Sequence, residues 1–485
     1  MLSINAFLLK TQQSSSPAIQ SDSIEMNYDQ LRQKVLKSAA ILKSFGIKEN
    51  ENVAIVGNND IDFITNVLAL WQLNAVPVLI NPQLATNEVE DQTAIADCDV
   101  VLLNKAVGHS ALAEKFKVIQ YPFEEKIKTE DRDYIDELNP DDTAIIIFTS
   151  GTAGNPKGVE LSFNCLIQSA KVGDQIIHHS QNDRWLASLP FYHIGGFLII
   201  TRSLLYQTVI ILPKNLQTDA LAESTNNFKP TLCSLVPTQL RRLMEADIRP
   251  NKELRNVLLG GGYIDQRLVT DAIYDGWNIT KVYGSTETTA FVTALPAEEF
   301  LEKPTSVGKA VHPNLIVIVN ENRYPLPEGE AGEIAVSSAA ILKGYYNNEE
   351  ETEKNIENGF YYTGDIGYLD TDGYLFLEAR RTDMIVTGGE NVNPNEVENR
   401  ILEHPDIIDA AVFPLRDDDW GEIVAAVIVK NNSVNNITLD DLEQFLQDSL
   451  AGFKIPKKLF FDNKIPKDEL GKISRDKLVE RYEGI

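Results

Sequence analysis

Short β-branched runs alternate with segments of helical period, and that alternation leaves the chain few architectures. From Asn27 to Gly46 the apolar residues Leu31, Val35, Ala39, Leu42 and Phe45 recur at helical spacing and stop at a glycine, which predicts an amphipathic helix. A strand reads at Asn52–Val56, an apolar helix at Phe63–Leu73, and further strands at Val76–Ile80 and Val100–Leu103. The alternation resumes at Val209–Leu212, Thr231–Val236, Val257–Leu259 and Thr280–Tyr283. Strands separated by helices pair in parallel through right-handed crossovers, so the expected class is α/β.

After about residue 305 the pattern changes to short strands broken by Pro and Gly, as in NENRYPLPEGEAGEIAV, which predicts a small β-barrel or sheet. The polar tetrad RRTD then precedes a final segment of its own kind. That segment carries strands at Ile408–Val412 and Ile423–Val429, and Thr438 with Asp441 forms a capping signature for a helix at Leu439–Leu450. A chain of 485 residues is too long for one core. The expected division is 1–380 and 381–485.

The net charge of −27 argues against nucleic acid or an anionic membrane as the main partner. Cys98, Cys165 and Cys233 are odd in number and widely spaced, which fits buried hydrophobes in a reducing compartment better than disulfides or zinc. No apolar run reaches membrane-spanning length, and MLSINAFLLKTQQ has neither a basic leader nor a cleavage site, so the expectation is no signal peptide and a cytoplasmic protein.

Chemistry concentrates first at TSGTAGNPKG, directly after the apolar run Ala144–Phe148. Thr149, Ser150 and Thr152 supply hydroxyls. Gly151 and Gly154 let backbone amides approach an anion, and Lys157 adds a mobile charge. A Walker loop is excluded, because Pro156 stands where its second glycine belongs and Gly158 where its hydroxyl belongs. Taken alone, such a loop is as easily a solvated turn.

Further segments add to it. Tyr283 can stack on a purine, Gly284 permits close approach, Thr286 can bond a phosphate, and Glu287 offers an oxygen ligand to Mg²⁺. Gly260, Gly261 and Gly262 follow a strand and present bare backbone to a flat base. Asp365 in YTGD can accept both hydroxyls of a ribose, Arg380 lies beyond it, and Lys472 sits in PKDELGKISR near the C-terminus. Each alone is ordinary: a polar turn, a solvated lysine.

In this order and spacing the segments resemble the adenylate-forming superfamily of acyl-CoA synthetases, peptide-synthetase adenylation domains and luciferases, over essentially the whole chain. The resemblance implies a large N-terminal domain of three subdomains and a small mobile α+β C-terminal lid. It also implies that Thr149–Lys157 hold the ATP phosphates, Tyr283 stacks on adenine, Glu287 binds Mg²⁺, Asp365 and Arg380 hold ribose, and Lys472 is the catalytic lysine of adenylation. The lid would turn about a hinge at Thr382 or Asp383, and Gly388, Gly389 and Glu390 would line a tunnel for coenzyme A. A turn between strands is the plainer reading of that last loop.

The acid pocket would draw on LPFYHIGG, with His193, and on Arg202, Gly261, Ser285 and Thr288. His193 either bonds the acid, gates the thiol tunnel or packs. Arg202 either points at a second carboxylate of the substrate or lies on the outer face of its helix. LPFYHIGG followed by a basic residue, LLGGG and the compact length look most like the o-succinylbenzoate–CoA ligases of menaquinone synthesis. Three alternatives stay open: a ligase for another aryl or fatty acid, an enzyme that loads a carrier protein, and a nucleotide-binding regulator without catalysis. Monomer and homodimer are equally compatible with the sequence.

Overall fold

The computed structural model describes every residue except 1, 14, 124–134, 136, 151–155, 263, 265, 380–383, 431–436, 467–472, 474 and 484–485. Its contacts divide the chain into two compact units: 1–82, 93–148 and 158–379 in one, and 83–92, 149–157 and 380–485 in the other. The fold is α/β, and the predicted alternation is where it begins. The helix Tyr28–Ser44 is capped at Asn27, whose side chain accepts from the Gln30 amide while Gln30 bonds back, and it ends before Gly46 at φ +87°. The next helix, Ile61–Gln72, starts two residues earlier than its apolar run because Asp60 caps it, accepting from Phe63 N at 2.7 Å.

A seven-stranded sheet orders its strands Gly344–Tyr345, Pro156–Ser162, Thr143–Ser150, Val76–Ile80, Asn52–Val56, Val100–Asn104 and Lys117–Tyr121. Its central pairs are parallel, as the helical connections require. Both faces of the central strands Asn52–Val56, Val76–Ile80 and Val100–Asn104 are covered, so these read as nearly unbroken apolar runs. Trp71 anchors one face, with its ring 5.2 Å from Phe7 and 5.3 Å from Phe163, and its indole N–H donating to Ala144 O at 2.8 Å.

The second sheet has parallel strands at Arg184–Leu186, Val209–Ile211, Leu232–Leu235, Asn256–Leu259 and Ile279–Tyr283. It continues through antiparallel strands Thr293–Pro296 and Gly308–Ala310 into the Pro- and Gly-punctuated region. Gly308 is obligatory at that join. A Cβ there would lie 2.1 Å from Ala294 O, and φ is +94°.

The second unit contains a five-stranded sheet led by the hairpin Ile407–Asp417 and Gly421–Lys430, backed by helices Pro394–Leu402 and Leu439–Leu446. The Thr438–Asp441 capping box forms as the sequence predicts, but the helix stops at Leu446. Segment 83–92 belongs to this unit, held by the buried Lys454, whose ammonium bonds Glu88 and, at 2.7 Å, Glu396. Cys98, Cys165 and Cys233 are all buried and free. Among the described residues no helix is long and apolar enough to cross a membrane.

Candidate functional site

Tyr283 ends a buried parallel strand, and the chain reverses immediately through Gly284. A Cβ at Gly284 would fall 2.6 Å from the backbone of Ala290, so only glycine allows so tight a return. The turn is fastened from within: Ser285 N donates to Thr288 Oγ1 at 2.8 Å and Ala290 N to Ser285 O at 2.8 Å. Thr286 is half-buried at its tip. Glu287 is buried, its carboxylate accepts from Tyr345 OH at 3.3 Å, and its backbone carbonyl accepts from Leu342 N at 2.7 Å.

A second strand brings in Asp365. Gly364 adopts φ +74° where the ladder to Gly332–Ser337 slips register, and its N–H donates to Glu333 Oε1 at 3.0 Å. That bulge delivers the Asp365 carboxylate to Tyr283, whose hydroxyl donates to Oδ2 at 2.7 Å. The aromatic and the acid singled out separately in the sequence are therefore one hydrogen-bonded pair. Gly260, after the strand Asn256–Leu259, lies against Val282, where a Cβ would meet Cγ2 at 2.9 Å. Gly261 follows at φ +79°, and Gly262 closes the turn.

The helix Ile194–Tyr206 starts at His193, which occupies the N-cap position without a side-chain cap bond and lies 4.7 Å ring to ring from Tyr192. Gly196 permits the approach of the preceding loop, since a Cβ would stand 2.0 Å from Pro190 O. Nine residues on from His193, Arg202 is only 3% exposed, which rules out the outer helix face. Its guanidinium carbon lies 5.6 Å from the Trp185 ring centroid and 5.5 Å from that of Phe291, and a Cβ on Gly173 would sit 3.3 Å from Nη2. Neither Nε nor Nη2 has a hydrogen-bond partner among the described residues. Burial pushes the guanidinium down to about 10.

Two neighbours of Arg202 carry no signal in the sequence. His179 stacks on Tyr206 at 4.1 Å, lies 5.5 Å from Trp185, and bonds Asp174 Oδ1 through Nδ1 at 2.8 Å. The carboxylate places the neutral ring's proton on Nδ1, so Nε2 is left as an acceptor, and it has no partner among the described residues. The indole N–H of Trp185 is likewise unpaired among the described residues. Arg202, His179 and Trp185 thus gather unsatisfied polar atoms beside one aromatic wall, an arrangement that costs free energy unless a ligand or water completes it.

His179 makes an acid-stability prediction. Burial, opposed by the Asp174 hydrogen bond and aided by Arg202, lowers it to about 4. The unfolded chain takes up this proton near pH 6.5, whereas the folded protein refuses it until about 4. Stability from this group is therefore complete above pH 6.5 and lost on descent to about 4, a loss of about 3 kcal/mol. A His179→Gln variant should show a flatter thermal midpoint across that window than the parent. Equal slopes would show that the ring is not the titrating group.

In the second unit Gly388 at φ +60° and Gly389 at φ +93° form the turn between strands Ile385–Thr387 and Glu390–Val392. The half-exposed Trp420 covers this turn. A Cβ on Gly388 would meet its ring at 2.7 Å, and Gly388 N donates to Trp420 O at 2.9 Å. Thr149 and Ser150 end the strand Thr143–Ser150, and the half-buried Lys157 is the second residue of Pro156–Ser162. Gly151, Thr152, Gly154, Arg380, Thr382, Asp383 and Lys472 lie outside the described residues. No group of three or more His, Cys, Asp or Glu side chains could hold a metal among the described residues. Glu287 offers a single carboxylate, which fits Mg²⁺ carried largely by phosphate oxygens and water.

The comparisons with known proteins agree on one family. A family model for AMP-binding enzymes matches residues 9–346, and one for their C-terminal domain matches 396–472. A 2-succinylbenzoate–CoA ligase of Bacillus cereus is 32% identical over 476 residues, covering 96% of each chain. Among solved structures, o-succinylbenzoate CoA synthetase of Bacillus subtilis, as a double mutant with a product analogue, matches at 28% identity and TM-score 0.93 over 99% of both chains. The same enzyme with ATP and magnesium ion matches at 28% and 0.76, over 98% of this chain and 99% of that one. With the first family model spanning more than half the sequence, this chain belongs to the AMP-binding enzyme family.

Proposed function

We propose that the chain is an ATP-dependent, AMP-forming acid–CoA ligase that converts o-succinylbenzoate to o-succinylbenzoyl-CoA in the cytoplasm, within menaquinone biosynthesis. The observation that carries the choice of acid is Arg202, a buried cation with two unpaired nitrogens. An aliphatic acyl chain has nothing to offer it. A dicarboxylate does, because one carboxylate can be activated while the other supplies the missing acceptors.

The chemistry then divides among the chain's own residues. Residues 1–380 form the adenylation domain and 381–485 the lid. The loop from Thr149 to Lys157 holds the triphosphate, with Gly151, Thr152 and Gly154 giving backbone amides to it. Tyr283 lies on adenine against the backbone of Gly260–Gly262, and Asp365, held by the Tyr283 hydroxyl, takes the ribose together with Arg380. The substrate carboxylate attacks the α-phosphorus and pyrophosphate leaves. Both partners are anions, so orientation and neutralisation lower the barrier. Mg²⁺ at Glu287, when bound, supplies charge neutralisation at the phosphate oxygens. Thr286 bonds a phosphate, and Lys472 neutralises charge where the carboxylate meets the α-phosphorus.

In the second half-reaction the thiol of coenzyme A attacks the acyl carbonyl, the carbon–oxygen bond to AMP breaks, and the thioester is released. Gly388, Gly389 and Glu390 line the approach of the thiol. His193, Ser285, Thr288 and Gly261 surround the activated carboxylate and keto group.

The test is CoA-dependent AMP release across succinylbenzoate, simple benzoates and fatty acids. Succinylbenzoate should be preferred by two orders of magnitude or more over an aryl ketone acid that lacks the distal carboxylate, since an unmet buried charge is costly. A preference for octanoate would overturn the assignment of the acid.

A further inference from the structure

We propose that Asn59 is a positioning residue for the acid substrate. Its carboxamide spans the loop that leads into His193: Nδ2 donates to Leu189 O at 2.7 Å, and Oδ1 accepts from Phe191 N at 2.8 Å. Pro190 between them has no N–H, so the Phe191 bond is the backbone donor contact that pins this stretch. The bond from His193 N to Pro190 O, 3.2 Å, passes the constraint to the N-cap residue of the helix that carries Arg202.

Asn59 is itself held on rigid ground. It follows the central strand Asn52–Val56 and precedes Asp60, which caps a helix through Phe63 N and accepts from Asn104 Nδ2 at 2.6 Å. The Leu189–Phe191 loop issues instead from the other sheet, after the strand Arg184–Leu186. From the far side, Gln239 Nε2 donates to Ser188 O at 2.8 Å. One side chain from the first sheet therefore sets where the second sheet delivers His193 and, along its helix, Arg202. Pre-set spacing of this kind removes an ordering cost that the substrate would otherwise bear.

The inference rests on the proposed reading that residues 189–196 line the acid pocket, and the experiment separates the two. The parent enzyme, Asn59→Ala and Asn59→Asp are compared by steady-state kinetics and by hydrogen exchange at the Phe191 amide without substrate. In Asn59→Ala, Phe191 exchange should accelerate and KM for the acid should rise about tenfold, as loss of a part-buried hydrogen-bond pair allows. KM for ATP should stay within about twofold. Asn59→Asp should resemble the alanine variant at neutral pH, because a carboxylate repels Leu189 O. On acidification it should recover relative to the parent, since a neutral carboxyl presents one acceptor and one donor as the amide does. That recovery also serves if the alanine variant does not fold.

Unchanged Phe191 exchange, a parallel rise in KM for ATP, or no recovery of Asn59→Asp would each overturn the positioning role. If the acid assignment is what fails, the unmutated enzyme reveals it by preferring another acid. The same criteria then apply with that acid.

Discussion

Arg202→Met lowers kcat/KM for succinylbenzoate by a factor of 10² to 10³ and leaves activity on monocarboxylic aryl acids unchanged or improved. The magnitude follows from stranding a substrate carboxylate in an apolar pocket, a cost of about 3–5 kcal/mol. The accompanying sign is the diagnostic part. The guanidinium is buried between Trp185 and Phe291, with Nε and Nη2 unpaired among the described residues, and burial pushes it down to about 10. Removing an uncompensated buried charge and filling the space with an unbranched thioether should raise the thermal midpoint. Loss of activity with gain of stability is what a ligand-binding cation shows. A cation that served the fold alone would lower the midpoint and leave acid preference intact, and that outcome would remove the basis for a dicarboxylate substrate.

Lys472→Ala abolishes most adenylation, by a factor of 10² to 10³, while conversion of supplied acyl-adenylate and coenzyme A to thioester stays within a few-fold of the parent. The first half-reaction brings a carboxylate onto a phosphorus flanked by negative oxygens in a chain of net charge −27, so a cation at that point, the role proposed for Lys472, would act directly on the barrier. The second half-reaction opens a neutral carbonyl to a thiol and expels AMP. On the proposed reading the lysine serves the first of these steps alone. Pyrophosphate exchange measures the first step and thioester formation from isolated acyl-adenylate the second. Equal losses in both would assign the lysine a general structural role.

Much of this protein was legible in its residues because the signals are local. The strands Asn52–Val56 and Val76–Ile80 form at the predicted residues, since a parallel strand buried on both faces must be apolar throughout. Departures come where pairing outweighs local pattern. The strand read at Ile408–Val412 runs on to Asp417 because Gly421–Lys430 offers a continuous partner, Ala411 to Val427 through Asp417 to Gly421. The helix from Leu439 ends at Leu446, short of the apolar pattern.

The residue types that chemistry requires, their order along the chain and the strand ends that carry them were determined by the sequence alone. Glycine, hydroxyl, carboxylate and lysine each do something no neighbour in the alphabet does. Which of them meet was decided by tertiary structure: the Tyr283 hydroxyl on Asp365, Tyr345 on Glu287, the Asn59 amide across Leu189 and Phe191. The orientation of Arg202, open from its helical position, was settled by a wall built from Trp185, Phe291 and Gly173. The reason is physical. A hydrogen bond or a buried charge depends on distances of a few ångströms between strands remote in the chain, and periodicity records only which face a residue shares with its near neighbours.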